Sequence, residues 1–496
     1  MMMSSSGVVI CFLFLFLATA SSLPTFRKGR PREGFLGSPP TRFLIAELPK
    51  AHYFTQKLDH LDANSNITWN QRYFVNDSFW DKGFGPVFLM IGGEGPANPV
   101  WNVEGAWIEY AQENRALTIQ LEHRFYGASH PTSSTSVENL RYLTSEQALA
   151  DLAYFREYMS DAFKTGDAAW IAFGGSYSGA LAAWVRLKYP HLFSAAMATS
   201  APVQAQLNFV EYAEVVSASL ASKSTSCVSA VQTATTALET MVKSEAGRAE
   251  LTKLFQLCSP LDADTRNISS FAESVAGNIF GIVQYNKDNR AFEGAVGTNI
   301  TIDTICSIML NKAIGNELTR YAALNSLMMK TYGIKCQEIS YNAMVDDMKN
   351  TNWSNDIGGR MWFYQTCNEF GYYQTTDSKN QPFGTLFPLS FFIKQCIDVF
   401  GPEFDQAHIE RGIAWTNENY GGKNISATRV LFPNGSIDPW HALGITNHVI
   451  GPEKSIYIEG TAHCANMYPP LATDIIQLQT ARLQISEQLE LWTLEG

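Results

Sequence analysis

The sequence has no excess of basic residues and, beyond its first 20 positions, no long apolar run. It carries 36 lysines and arginines against 47 aspartates and glutamates, a formal net charge of −11 at pH 7. Because nucleic-acid binding needs a basic stripe, we exclude nucleic acid as a partner. No later segment is long and uncharged enough to span a bilayer, so no membrane partner is expected after removal of the leader. Internal repeats are absent, and nothing in the sequence calls for a metal ion or a cofactor.

The first 20 residues have the pattern of a secretory signal peptide. An apolar core runs from Val8 to Leu17, and Ala18-Thr-Ala20 supplies an A-x-A cleavage site, although no positive charge flanks the core. Residues 21–50 contain the basic run Arg27-Lys-Gly-Arg30 and proline-rich turns, and we interpret them as an irregular arm or a short propeptide. The predicted location is the secretory pathway, with secretion or delivery to endosomes and lysosomes.

Cysteine is scarce, and its number is informative. Of the eight cysteines, Cys11 belongs to the signal peptide. The others are Cys227, Cys258, Cys306, Cys336, Cys367, Cys396 and Cys464. In an oxidising compartment this odd number leaves one thiol unpaired, and six cysteines allow 15 pairings, among which the spacing does not choose.

Six N-x-S/T sequons gain weight from the signal peptide, because glycosylated asparagines mark the surface of secreted proteins. They are Asn66, Asn76, Asn267, Asn299, Asn352 and Asn424. A seventh sequon, at Asn434, lies in a turn discussed below and is expected to be too enclosed for glycosylation.

An apolar run, a glycine-rich turn and a second apolar segment follow one another in the first half of the chain. The run 170–173 predicts a buried strand and the segment 180–190 predicts a helix. Ser176 stands at the tip of the turn between them, as the nucleophile of an α/β-hydrolase does. Gly174 fits the G-x-S-x-G pattern, but Ser178 replaces its second glycine. Taken alone, the turn is equally compatible with an incidental serine.

Two later strand ends supply an aspartate and a histidine in the chain order Ser, Asp, His of that fold class. The segment 428–432 predicts a strand, and Asp438 lies in the turn after it. The segment 455–459 predicts the next strand, and His463 follows it. Both loops should open on the same edge of a parallel sheet. Each residue alone has an ordinary structural explanation, whereas all three in this order favour a catalytic triad.

Several motifs are distributed over nearly the whole chain. They are YFTQKLDH at 53–60, EHRFYG at 122–127, GGSYSGALAAWVRLKYPHLF from 174, SAPV at 200–203, NGSIDPWHALG at 434–444 and TAHC at 461–464. Together they resemble the family of prolyl carboxypeptidase, dipeptidyl peptidase II and thymus-specific serine protease. The helix after Ser176 is most similar to the thymus-specific branch.

This resemblance implies an α/β fold with an α/β-hydrolase core and an inserted, disulfide-stapled helical cap of the SKS type. The core would comprise residues 51–206 and 401–496, and the cap residues 207–400. Helical spacing in 209–220 and 228–242 agrees with such a cap. The resemblance also implies the disulfides Cys227–Cys306, Cys258–Cys336 and Cys367–Cys396, which leaves Cys464 unpaired.

The last segment of the chain predicts an amphipathic helix packed on the sheet. Its apolar face would consist of Ile475, Leu478, Ile485, Leu489 and Trp492.

The activity implied by the resemblance is that of a serine exopeptidase acting on peptides, with a preference for bonds after proline. His463 would accept the proton of Ser176, and Asp438 would orient the imidazole. The backbone amides of Tyr177 and of the loop at Gly93 would hold the oxyanion. A phosphate-binding role for that loop is disfavoured because the lysine of a P-loop is missing.

The substrate determinants are less well defined by the sequence. Trp440 matches a position that lines the proline pocket in the family, although it could equally cover the core. Glu369 is a candidate clamp for a substrate terminus. Trimming from the amino end and from the carboxyl end both remain open, as does a homodimer.

Three alternatives to this activity remain. An esterase or lipase would share the triad, and an inactive hydrolase fold would serve as a binding module. A cysteine nucleophile at Cys464 would lack both an elbow and a separate base.

The working pH depends on two opposed effects on His463. Asp438 beside the imidazole raises its pKa, whereas burial under the cap lowers it. The sequence-based prediction is that burial dominates and that the enzyme is active below about pH 6.

Overall fold

The computed structural model describes residues 26–27, 30–31, 48–353, 358–447 and 454–494. The predicted signal peptide and most of the arm 21–50 lie outside the described residues.

The strands form one large sheet and two small ones. In chain order they are β1 (Phe26–Arg27), β2 (Arg30–Pro31), β3 (His52–Lys57), β4 (Thr68–Asn76), β5 (Val87–Ile91), β6 (Leu117–Leu121), β7 (Trp170–Gly175), β8 (Ala195–Thr199), β9 (Gln206–Asn208), β10 (Gly371–Tyr373), β11 (Val430–Gly435) and β12 (Lys454–Ile458). The large sheet has eight strands in the order β12-β11-β8-β7-β5-β6-β4-β3. The six strands from β12 to β6 run parallel, and β4 and β3 extend the sheet in antiparallel orientation.

Helices cover both faces of this sheet and fill the segment between β8 and β11. In chain order they are α1 (Ala106–Glu113), α2 (Val137–Leu140), α3 (Ser145–Phe163), α4 (Tyr177–Lys188), α5 (Glu211–Lys223), α6 (Thr225–Met241), α7 (Glu245–Leu254), α8 (Thr265–Gln284), α9 (Ile302–Leu310), α10 (Glu317–Thr331), α11 (Tyr341–Lys349), α12 (Gly359–Gln365), α13 (Leu389–Phe400), α14 (Gln406–Tyr420) and α15 (Ile476–Leu494). A mostly parallel sheet with helices on both faces and a serine on a strand-to-helix turn is an α/β-hydrolase fold, as predicted. Within the described residues, no helix has both the length and the apolar character of a membrane span.

The central parallel strands β5, β6, β7, β8 and β11 are buried on both faces, which explains their mostly apolar sequences, whereas β12, β4 and β3 are partly exposed. In β5, Val87 and Leu89 pack with α3 and α4 on one face, whereas Phe88 and Met90 pack with α1 and α15 on the other. The hydrophobic cluster on the α3–α4 face continues without interruption into the helices between β8 and β11. Core and inserted helices therefore share one hydrophobic interior.

The apolar face predicted for the last helix is correct except at its first member. Leu478, Ile485, Leu489 and Trp492 are buried in α15. Ile475, in contrast, is 42% exposed, because α15 begins one residue later and Ile475 lies outside it.

The insertion contains helices α5 to α13 and three disulfides. These bonds are Cys227–Cys306, Cys258–Cys336 and Cys367–Cys396. The short parallel pair of β9 with β10 joins the start of the insertion to a later part of it. Cys464 is the free cysteine of the described residues, and it is fully buried.

Removing one cap disulfide should destabilise the protein more than it changes the chemistry. The pair Cys258–Cys336 closes a sequence separation of 78 residues. We expect the double variant Cys258→Ser/Cys336→Ser to lose about 2–5 kcal/mol of unfolding free energy, because the unfolded chain gains loop entropy. Denaturant titration measures this loss.

In the unfolded wild-type protein without reductant, alkylation should modify Cys464 alone; modification of a cap cysteine would contradict the pairing.

Candidate active site

Ser176 occupies a strained turn between β7 and α4. Its backbone has φ 60° and ψ −129°, a region that a residue with a side chain rarely adopts and that costs about 1–3 kcal/mol. The turn leaves no room for a side chain at Gly174, where a Cβ atom would lie 2.0 Å from the carbonyl oxygen of Ser178. The amide of Ser176 donates to the carbonyl oxygen of Thr199 at 3.0 Å. These features are those of a nucleophile elbow.

Ser178, which replaces the second glycine of the usual pattern, has a structural role. Its Oγ donates to the carbonyl oxygen of Gly175 at 2.8 Å and accepts from the amide of Gly175 at 3.1 Å. The side chain is fully buried, and it satisfies backbone groups at the end of β7. Serine at this position therefore stabilises the turn and does not compete with Ser176 for the role of nucleophile.

Asp438 and His463 form a buried hydrogen-bonded pair. Nδ1 of His463 donates to Oδ2 of Asp438 at 2.9 Å, and neither side chain is more than 1% exposed. Oδ1 of Asp438 accepts from the amide of Trp440 at 2.9 Å, which fixes the carboxylate at the start of the 3₁₀ turn Pro439–Leu443. This arrangement selects the tautomer in which Nε2 of His463 is the basic nitrogen.

The loops that carry Ser176 and His463 are both hydrogen-bonded to the end of β8, at Thr199 and the following Ser200. Thr199 accepts the amide of Ser176, and Ser200 Oγ accepts the amide of Cys464 at 3.0 Å. Oγ1 of Thr199 also accepts from Nδ2 of Asn466 at 3.0 Å. Since β7, β11 and β12 run parallel, the structure brings Ser176, Asp438 and His463 to one edge of the sheet.

Gln284, which the sequence analysis missed, connects the cap to both catalytic loops. Its carbonyl oxygen accepts the amide of His463 at 2.9 Å. Its side-chain oxygen accepts from Nε1 of Trp440 at 2.8 Å and from the hydroxyl of Tyr212 at 2.7 Å. A glutamine at the end of an apolar helix such as α8 gives no sequence signal for this role.

Trp440 lies in an aromatic layer beside His463, the candidate catalytic histidine. Its ring centroid is 6.4 Å from that of His463, 5.4 Å from that of Tyr372 and 5.5 Å from that of Phe209. Only 2% of Trp440 is exposed. The residue thus joins the core, as one of the two interpretations held, and lies beside His463.

The loop after β5 passes over the start of α4. A Cβ atom at Gly93 would lie 3.6 Å from Cβ of Ser178, and one at Gly92 would come within 2.7 Å of the carbonyl oxygen of Leu121. Gly92 therefore lets the loop pack tightly against the end of β6, and Gly93 lies within ordinary van der Waals distance of the elbow. The amides of Gly93 and Tyr177 are therefore near enough to the elbow to be candidates for an oxyanion site.

Glu369, predicted as a substrate clamp, lies behind the elbow instead. Its carboxylate accepts from the amide of Ser145 at 3.0 Å and from the hydroxyl of Ser145 at 2.7 Å, at the start of α3. Gln365 also hydrogen-bonds to it. Among the described residues it contacts none of the three catalytic candidates, and only 3% of it is exposed. Burial away from the triad argues against direct contact with a substrate terminus.

Glu369 should make the fold more stable at acidic pH. Burial raises the pKa of its carboxyl from 4.5 to about 7, against the opposing effect of the hydrogen bonds. Between these values the folded state holds a proton that the unfolded state has lost, so stability falls as pH rises. The full effect is about 3 kcal/mol.

Denaturant titrations between pH 4.5 and 7.5 on the wild type and on Glu369→Gln measure this contribution. The difference in unfolding free energy between the two proteins should change with pH by about 3 kcal/mol. A difference that is constant over this range would show that the carboxyl titrates normally.

The prediction that burial would outweigh Asp438 and give His463 a lowered pKa is wrong. Burial does lower it, but the charge and the hydrogen bond of Asp438 outweigh burial, and the pKa lies well above the usual 6.5. The close pairing, at 2.9 Å with no intervening water, explains the result.

Cys464, next to the catalytic histidine, is not suited to nucleophilic attack. Burial raises the pKa of its thiol above 9.0, so the reactive thiolate is not favoured at neutral pH. It also directly precedes the 3₁₀ turn Ala465–Met467 and does not lie on a strand-to-helix elbow.

The predicted glycosylation sites differ in accessibility. Four are exposed: Asn66, Asn299, Asn352 and Asn424. The side-chain nitrogen of Asn76, to which a glycan would be attached, donates to the carbonyl oxygen of Asn102 at 2.7 Å. The side-chain nitrogen of Asn267 donates to the carboxylate of Asp262 at 3.1 Å. Asn434 is only 1% exposed.

Comparison with known proteins identifies relatives along most of the chain. The sequence profile of the family described as Serine carboxypeptidase S28 matches residues 56–485. A Caenorhabditis elegans relative is 38% identical over 94% of this chain and 93% of its own length. The thymus-specific serine protease of Mus musculus is 37% identical over 90% of this chain and 88% of its own. The lysosomal Pro-X carboxypeptidase of Homo sapiens is 29% identical over 89% of this chain and 87% of its own.

Proposed function

Because the chain belongs to the serine carboxypeptidase S28 family, and is therefore a serine peptidase by family, we propose that it is an exopeptidase that cleaves peptides after proline with Ser176, His463 and Asp438. The observation that carries this proposal is the 2.9 Å contact of the buried Asp438 with His463, at the sheet edge where Ser176 occupies a strained elbow.

The proposed reaction has two halves. Ser176 Oγ attacks the scissile carbonyl while Nε2 of His463 takes the hydroxyl proton, and the imidazolium then gives this proton to the leaving amine. Water attacks the resulting acyl-enzyme, His463 accepts a water proton, and the proton returns to Ser176 as the acid leaves. Asp438 stabilises the imidazolium in both halves. The amides of Tyr177 and Gly93 would hold the oxyanion, an electrostatic contribution of about 3–4 kcal/mol per donor.

The preference for proline rests on relatives and on the aromatic layer. One relative is named for Pro-X carboxypeptidase activity. Trp440, Tyr372 and Phe209 form a buried layer of flat apolar rings, and the Trp440 ring lies next to that of His463, with 6.4 Å between the centroids. We propose that Trp440 forms one wall of the pocket for the residue before the scissile bond, because a flat aromatic ring suits a pyrrolidine ring. Since only 2% of Trp440 is exposed, this proposal requires neighbouring side chains to move when a substrate binds.

We further propose that the protein works in the secretory pathway, either secreted or in endosomes and lysosomes. The three disulfides require an oxidising compartment during folding, and a relative carries the word lysosomal in its name.

A panel of peptides and esters tests the proposed activity. It contains prolyl peptides with both ends free, with one end blocked and with both ends blocked, their alanine counterparts, and short-chain esters. We expect cleavage after proline, at least tenfold slower cleavage after alanine, and no cleavage when both ends are blocked. Hydrolysis of the esters alone would identify an esterase, and rapid cleavage of the doubly blocked peptides would show an endopeptidase. The single-blocked peptides identify the end that is trimmed.

The pH profile should have its acidic limb above pH 6.5. His463 must be neutral to act as a base, and its pKa is raised by Asp438. We expect log kcat/KM of the free enzyme to rise with unit slope as pH increases through this pKa. A kcat/KM titration on a prolyl peptide measures it. A limb below pH 6 would show that burial outweighs Asp438 after all.

A further inference from the structure

Tyr177, the residue after the nucleophile, is anchored by a buried hydrogen-bond chain. Its side chain is 2% exposed. The phenol oxygen lies 3.1 Å from Nε2 of His123, which follows β6 in the core. It also lies 2.9 Å from Nε2 of Gln365, the last residue of α12 in the inserted segment. One hydroxyl group therefore contacts both the sheet core and the cap.

The donor and the acceptor of each hydrogen bond around the Tyr177 hydroxyl can be assigned. Nδ1 of His123 lies 2.7 Å from the carbonyl oxygen of Arg124, which can only accept, so Nδ1 carries the proton and Nε2 accepts from Tyr177. Gln365 donates to the phenol oxygen through Nε2, and its Oε1 accepts from the hydroxyl of Tyr126 at 2.5 Å. Each polar atom named here has a partner, which allows a single arrangement.

The arrangement is insensitive to pH in the physiological range. Burial lowers the pKa of His123 to about 4, so its imidazole remains neutral and Nε2 remains an acceptor at higher pH. A pH effect on activity between pH 5 and 8 would therefore not arise from this histidine.

The Tyr177 ring is also held in place, by packing against two aromatic side chains. The ring centroid is 5.6 Å from that of Trp362 and 5.4 Å from that of Phe370, both in the inserted segment. Tyr177 is also the first residue of α4, directly after the strained Ser176. A strained conformation such as that of Ser176 persists only where the surrounding structure fixes it. Here the surrounding contacts fix Tyr177, the next residue, whose backbone amide is the proposed oxyanion donor.

We propose that His123 and Gln365 are positioning residues, which act through the Tyr177 phenol to hold the elbow and the oxyanion amide in the geometry of the transition state. The inserted segment thus contributes to catalysis by ordering the elbow, in addition to enclosing it. This inference rests on the proposed peptidase function. It gives a role to two residues that the triad does not involve, the histidine of the EHRFYG motif and the glutamine at the end of α12.

The variant Tyr177→Phe tests the proposal while preserving the ring contacts. Removing an oxyanion donor costs about 10²–10³ in kcat, and loosening one should cost less. We expect kcat to fall about tenfold with KM within twofold of wild type. The Ki of a prolyl boronate peptide, whose tetrahedral adduct places an oxygen in the oxyanion site, should rise by the same factor. Gln365→Met removes the donor from the cap together with the contacts of Gln365 to Tyr126 and Glu369. It should act in the same direction, and it remains informative if Tyr177→Phe fails to fold.

Tyr341→Phe is the matched control. Tyr341 is also a buried tyrosine of the inserted segment, and its hydroxyl donates to Asp398 at 2.9 Å. Thermal melts of all variants ensure that assays are run where each is folded. Unchanged kcat and boronate Ki in Tyr177→Phe and Gln365→Met, or an equal fall in Tyr341→Phe, would overturn the inference. Failure of the wild type to cleave any prolyl peptide would instead refute the proposed function.

Discussion

Replacing Ser176 by alanine should reduce kcat by on the order of 10⁶ and abolish labelling by a fluorophosphonate probe. The structure gives no second nucleophile at this edge of the sheet among the described residues, because Ser178 Oγ is engaged with Gly175 and the Cys464 thiol is buried with a raised pKa. Rates with a prolyl peptide and probe labelling of the purified protein measure the effect.

The matched control for that variant is Ser178→Ala. It removes two hydrogen bonds to Gly175, which should cost about 1–3 kcal/mol of stability but leave the nucleophile in place. Labelling should therefore persist. Full activity in Ser176→Ala, or loss of labelling only in Ser178→Ala, would refute the assignment of the nucleophile.

Replacing Asp438 by asparagine should lower kcat by about 10⁴. The amide can present an N–H to His463 and favour the tautomer with the proton on Nε2, which cannot act as a base. Asparagine keeps an oxygen that can accept from the Trp440 amide, as Oδ1 of Asp438 does at 2.9 Å, so the 3₁₀ turn should survive. Steady-state kinetics with a thermal melt as a folding control measure the effect.

In the same variant the pKa of His463 should fall, because the charge that raises it is gone. An acidic limb that remains where it is in the wild type, together with a loss of less than tenfold in kcat, would show that Asp438 is not the partner of the catalytic histidine.

Strands and triad candidates were predictable from the sequence because their signals are local. Parallel strands appear in the sequence as short, largely apolar runs, and the structure places β7, β11 and β12 within two residues of the predicted starts. The residues after these strands necessarily share one sheet edge. Chain order and topology alone therefore indicated Ser176, Asp438 and His463.

Roles that depend on contacts distant in the chain were not predictable. Glu369 lies two residues after Cys367 and was a candidate clamp for a substrate terminus, but its contact with the start of α3 depends on how α12 packs against the core. The role of Ser178 depends on the geometry at the end of β7, where its hydroxyl satisfies Gly175. Gln284 and Gln365 belong to helices whose docking no local pattern specifies.

The direction of the pKa change at His463 shows why two opposed energetic effects can be weighed only when the distances between the groups are known. Burial and Asp438 were both anticipated, and the sequence could not weigh them. A direct contact of 2.9 Å makes the charge interaction prevail over the desolvation of the imidazole. For Glu369 the balance is the reverse, since burial exceeds the effect of its hydrogen bonds.

The most direct test of the central claim is to map the site of fluorophosphonate labelling by peptide mass spectrometry and to follow the labelling rate with pH. Phosphonylation forms a bond from the serine oxygen to phosphorus, the phosphorus–fluorine bond breaks and fluoride leaves, and His463 takes up the serine proton. The account predicts one adduct, on Ser176, with a rate that rises as pH increases through the raised pKa of His463. An adduct on Ser178 or Cys464, or no adduct on a folded protein, would contradict it.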